Sequence, residues 1–270
     1  MDYYQFLSLL NPVVKWLHII AGITWIGLLY FFNFINGHVA ATMDGDTKKK
    51  VFPELMPRTL YWFRWGAAWT WITGVVLLYV IFWQGSLAMG ESAGNAMFAA
   101  DTDVTPWAHA TLLFVFVGVF IYDFLYKSAL ASNVRLITII SFLLIGAIVY
   151  CMKTCAGFEY RAFNIHIGAM FGTMMAFNVW FRIWPAQQNI IAAIRDGEAP
   201  DGDLVALAGL RSKHNTYLSV PLIWTMINEH TVVFSGKLCG CTGLVLAIVI
   251  PLGWHIVFQL YKKSAKVEGF

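Results

Sequence analysis

The sequence predicts an all-α fold, a polytopic membrane helix bundle with about seven transmembrane helices. Three observations carry this. Of the 270 residues, 59% are hydrophobic and 12% charged, whereas a soluble domain carries roughly a quarter charged residues. Apolar runs of the length a helix needs to cross hydrocarbon recur along the whole chain. The basic residues collect on alternate loops, as topology demands of a multi-pass protein. A mean hydropathy of +0.65 excludes a soluble globular protein. It leaves no room for a second soluble domain, so residues 1–270 are read as a single integral membrane domain.

The seven segments fall at 12–35, 60–83, 107–130, 134–152, 158–184, 217–234 and 238–261. The first starts close to Met1, follows Asp2 rather than a basic stretch and has no small-residue cleavage site, so it is read as a retained span and not a signal peptide. The sixth is the shortest, because Asn228, Glu229 and His230 interrupt it. The stretch 186–215 is the long connector. Within it 189–195 and 204–211 read as short amphipathic helices around the breaker run 196–203.

Lys48, Lys49, Lys50 and Arg58 lie in the first loop, Lys127 and Arg135 in the third, Arg182, Arg195, Arg211 and Lys213 around the fifth, and Lys262, Lys263 and Lys266 in the tail. The second loop has no Lys or Arg and carries Glu91, Asp101 and Asp103. The expected orientation is N-terminus periplasmic and C-terminus cytoplasmic, in a bacterial inner membrane. The formal charge of +3 is then a record of topology, with the lipid bilayer as partner and no nucleic acid.

That orientation sorts the histidines by depth. His18, His109, His166 and His230 fall in the outer half, and His38, His214 and His255 in the inner half. His18 and His166 each lie roughly 10 Å below the outer ends of their spans, so the two imidazoles match in depth if their helices are neighbours. Such a pair is a candidate axial clamp for a haem iron, with His109 and His230 as further ligands or propionate partners. The alternative is that each histidine is hydrogen-bonded to a neighbouring helix. A non-haem metal has few outer carboxylates to draw on, mainly Glu229 and Glu159.

Trp62, Trp65 and Trp69 share one helix face, whereas Trp71 points away. Trp69 and Trp71 are deep enough to be candidates for lining a flat cofactor, helix packing being the alternative. Cys151 and Cys155 lie one turn apart, and Cys239 and Cys241 open the last span. Isolated thiols, disulfides and a metal site all remain open for them. Arg64 pairs with Asp123 across helices, or Asp123 pairs with Lys127 one turn along.

Four stretches carry a resemblance: KWLHIIAGITWIG at 15–27, YWFRWGAAWTWITG at 61–74, HIGAMFGTMMAFNVWFRIWP at 166–185 and HNTYLSVPLIWTMINEH at 214–230. Together they resemble the membrane domain at the N-terminus of bacterial membrane-bound urate oxidases, also called urate hydroxylases. The first stretch alone also looks like copper-resistance and other small membrane haem proteins. The resemblance implies oxidation of urate to 5-hydroxyisourate, with electrons passed to a fused cytochrome c. His18, His166, Asn178, His214, Asn215 and His230 stand on the family's motif positions, and His214, Asn215 and Glu229 are the candidate catalytic residues. The sequence departs from the pattern at Gly66, where an acidic residue is expected, and at Glu229. Ending at Phe270 with a basic tail, it is expected to lack the eighth span and the fused cytochrome c.

Three functions follow. The first is a urate-oxidase-type oxidoreductase acting on urate or a related purine, with electrons leaving through haem b to a cytochrome c or quinone. The second is a haem-bearing electron-transfer or accessory subunit. The third is a structural subunit of a larger respiratory or photosynthetic complex.

Overall fold

The computed structural model describes residues 3–84, 97–98, 104–228 and 242–268. Among these residues the chain is helical, and the only β pairing is an isolated bridge between Phe98 and Phe158. The α-helical segments are α1 Tyr3–Phe31, α2 Gly37–Thr42, α3 Gly45–Leu78, α4 Pro106–Leu125, α5 Val134–Tyr150, α6 Tyr160–Asn178, α7 Trp184–Asp196, α8 Gly202–Ile227 and α9 Gly243–Ser264. Four π turns extend or join them, at Phe32–Asn36, Tyr79–Trp83, Cys151–Cys155 and Val179–Ile183.

Five helical stretches are long and apolar enough to cross a membrane: Gln5–Thr42, Gly45–Trp83, Pro106–Leu125, Val134–Cys155 and Gly243–Ser264. The protein is a multi-pass, all-α membrane protein. The expected fifth and sixth spans, in α6 and α8, do not reach that apolarity, for a physical reason. They hold the buried polar groups Asn164, His166, Asn178, Arg211, Asn215, Thr216, Ser219 and Thr225. A helix shielded by protein on most sides needs less apolar surface than one facing lipid. Residues 162–168 of α6 are buried without interruption.

Two boundaries differ from those read in the sequence. The first loop is largely helical, because α3 begins at Gly45. Asp44 caps it by accepting the Thr47 backbone N–H at 2.7 Å, and that bond holds the Asp44 carboxyl below the usual carboxylate range. In the connector, the second amphipathic helix does not stop at 211 but continues into α8. α7 ends in a left-handed Gly197, φ +80°, whose neighbour Glu198 donates its N–H to Ala193 O at 2.8 Å. The hairpin so formed packs Ala186 and Ile190 against Ala208, with Ile194 and Leu204 alongside.

The chain forms two compact units. One comprises Met1–Asn11, Val75–Met174 and Pro221–Leu252; the other comprises Pro12–Gly74, Met175–Val220 and Gly253–Phe270. In the first unit Phe82, Val115, Val119, Met152, Phe163, Ile167, Met170 and Phe171 are buried. There α6 and α8 cross so closely that a Cβ on Gly168 would lie 2.0 Å from Thr225 Oγ1.

The second unit buries Trp25, Leu29, Leu60, Phe63, Ala67, Val179 and Val257. Its helices α1 and α3 approach along small residues. A Cβ on Gly66 would stand 3.2 Å from Trp25 N, and one on Gly74 3.1 Å from Cε1 of His18. This is the small-residue packing that lets membrane helices meet backbone to backbone.

Candidate functional site

The most enclosed polar side chain of the first unit is His166, which has no exposed surface. Its Nδ1 lies 2.7 Å from Ala162 O, one turn back on α6. Its Nε2 lies 2.9 Å from Trp83 Nε1. An indole nitrogen only donates, so Nε2 is the acceptor, and the ring is the neutral tautomer whose Nδ1–H donates to Ala162 O. The π turn Tyr79–Trp83 brings the indole to this position. Phe158 and Phe82 close the ring's surroundings, with centroids 5.4 and 5.8 Å away. Two residues earlier, Asn164 is fully buried and its Nδ2 donates to Thr225 O at 3.0 Å, while its Oδ1 has no hydrogen-bond partner among the described residues.

His18, in the second unit, has a different arrangement. The Thr73 hydroxyl donates to Trp69 O, so its lone pair accepts the His18 Nδ1–H at 3.1 Å. Nε2 therefore carries the imidazole lone pair. Gly74 lets the ring edge lie against α3.

The same unit holds a polar stripe on α8. Arg211 is 1% exposed and Asn215 is fully buried. Asn215 Nδ2 donates to Met175 O at 3.0 Å, and its Oδ1 accepts Asn178 Nδ2 at 2.9 Å. Ser219 shares a hydrogen bond with Tyr30 Oη at 3.0 Å. Asn33 donates to Ser212 Oγ and accepts from Tyr261 Oη, both at 2.8 Å. His214 lies in the connector portion of α8, and its pKa is pushed down to about 3, first by burial and then by the charges of Arg211 and Lys213. It is held as a neutral base beside a buried cation.

The other candidates separate. His109 is exposed on the first turn of α4. Trp69 and Trp71 are 55% and 38% exposed, and the face that Trp69 shares with Trp62 and Trp65 looks outward, as an interfacial belt does. Glu229, His230, Cys239 and Cys241 lie outside the described residues. Of the two ion pairs open to Asp123, the structure has the one with Lys127, at 2.8 Å. The Arg64 guanidinium stacks on Trp184 at 4.1 Å, with Tyr61 and Trp180 each at 5.7 Å.

Haem b does not fit at His166 in this arrangement. The nitrogen an iron would take is bonded to Trp83, and the ring is enclosed by aromatic side chains. His18 has the right chemistry, with its lone pair on Nε2, but belongs to the other unit. Among the described residues no three His, Cys, Asp or Glu side chains are grouped to hold a metal ion.

Sequence reasoning missed Asn164 and the burial of Arg211. The signal for Asn164 was present, an amide two residues before His166 inside an apolar run. Arg211 stood in a basic loop pattern and was assigned to topology.

Residues 45–268 match the family model described as urate oxidase N-terminal. The chain belongs to that family. No curated protein and no solved structure matches it. For this member of the urate oxidase N-terminal family, the match runs from α3 through α9 and takes in His166, Asn178, His214 and Asn215, whereas His18 precedes it. At Gly66, the position where the sequence departs from the family pattern, an acidic side chain would push into the backbone of α1.

Proposed function

We propose that this chain is a membrane oxidoreductase that oxidises urate or a closely related purine and delivers the electrons to a cytochrome c or a quinone. The family match over 45–268 carries the reading. In the reaction urate and one water give 5-hydroxyisourate, two protons and two electrons, so two one-electron carriers or one quinone are consumed per turnover. Urate is an anion at neutral pH. The buried Arg211 charge favours its approach, and His214, kept neutral beside it, is the group able to take a proton from it. Asn215 and Asn178, bonded to each other and to Met175 O, position that stretch of α8 and do not meet the purine. No step is routed through haem b. The expected setting is a bacterial inner membrane.

The test uses the full chain in detergent with cytochrome c. Urate should disappear with two cytochromes reduced per purine, and His214→Gln should slow the loss by about 10²-fold, the usual contribution of a positioned base. Absence of urate loss with either acceptor overturns the proposal.

A second reading, an accessory or structural subunit of a larger redox complex, is favoured by one observation. The buried polar groups His166, Asn178 and Asn215 are engaged in bonds between helices. Co-purification with a cytochrome-bearing complex, without urate loss, would establish it.

A further inference from the structure

Cys151 and Cys155 are the first and last residues of the π turn that ends α5. The turn closes by an i→i+5 bond, Ala156 N–H donating to Cys151 O at 2.9 Å. A π turn holds more residues per turn than an α-helix, so residues four apart come nearly into line along the axis. The two side chains are hydrogen-bonded to each other. Both are free thiols and half-buried, so a small reagent reaches them. Thr105 Oγ1 donates to Cys155 O at 3.2 Å and holds the backbone at one end of the pair.

We propose that Cys151 and Cys155 form a thiol–disulfide exchange site whose partner is a disulfide-bearing oxidant. One thiolate attacks the oxidant's S–S bond, forming a mixed disulfide and releasing one thiol. The second cysteine attacks the mixed disulfide, closing the Cys151–Cys155 bond and releasing the other thiol. The pair loses two electrons and two protons, and the oxidant gains both. A thiol in hydrogen-bonding reach makes the second attack intramolecular, so the mixed disulfide does not persist.

The experiment treats the full chain in detergent with oxidised glutathione, alkylates remaining thiols and digests with trypsin. Cleavage after Lys153 separates the two cysteines, so their fragments remain joined only if the disulfide has formed. The expected result is joined fragments with no retained glutathione, and full return of both alkylatable thiols on reduction. Cys155→Ala, and independently Cys155→Ser, should instead keep one glutathione on Cys151. A Cys239→Ser/Cys241→Ser double variant should behave like the parent. Separate fragments that each carry glutathione or alkyl label would overturn the proposal, as would bonding of Cys151 or Cys155 to Cys239 or Cys241.

Discussion

His18 and His166 are the same residue type at matching depth in their helices, yet the structure gives them opposite chemistry. Each ring is the neutral tautomer with its proton on Nδ1. At His166 the remaining lone pair accepts an indole N–H, and aromatic rings surround it. At His18 the ring rests on a glycine and a threonine, with the Nε2 lone pair left over from the bond to Thr73. The difference lies in what stands opposite. A long aromatic donor makes a histidine part of the packing, whereas a small residue leaves a nitrogen with ligand character.

The largest expected effect breaks the His166 side. His166→Ala removes a fully buried ring and leaves the Trp83 N–H without its acceptor, and should destabilise the protein by about 3 kcal/mol in a thermal or denaturant melt in detergent. A loss no larger than that of His18→Ala would erase the contrast. Next comes Gly168→Ala, which drives a methyl into Thr225 and should cost about 2 kcal/mol; Thr225→Ala in the same chain should recover most of it. His18→Ala should cost about 1 kcal/mol, since Thr73 keeps its bond to Trp69. Spectroscopy sharpens the same contrast: any haem b band in the reduced-minus-oxidised spectrum should respond to His18→Ala and ignore His166→Ala.

The smallest effect concerns His214. Its folded pKa of about 3 lies below the model value of 6.5, so the unfolded chain binds the extra proton between those values. Stability from this group is complete above pH 6.5 and is lost progressively as pH falls toward 3. The difference between the parent and His214→Gln unfolding free energies should therefore shrink on acidification through that window. A constant difference would show that His214 is not held neutral.

The fold class was legible because lipid imposes a simple code, long apolar helices with polar groups rationed between them. The same code hid the interior helices, since α6 and α8 are shielded by protein and relax the demand for apolarity. It also hid the state of each histidine. Depth along a helix follows from counting residues, but Trp83 and His166 are 83 positions apart, and nothing local announces that they meet. Arg211 reads as a cytoplasmic loop charge until α8 is seen to run unbroken from Gly202 to Ile227. The resemblance found the motif positions Asn178 and Asn215 and their neighbours, while their partnership is a product of packing.

The π turn at Tyr79–Trp83 has a consequence for how this helix tolerates length change. A π turn contains one residue more than the α turn it replaces. Deleting a single residue there would restore regular winding and rotate everything beyond it by about 100°. Trp83 would swing off the His166 nitrogen without any change in its identity. A one-residue gap at this point in a related chain is thus equivalent to a phase shift that uncovers an imidazole.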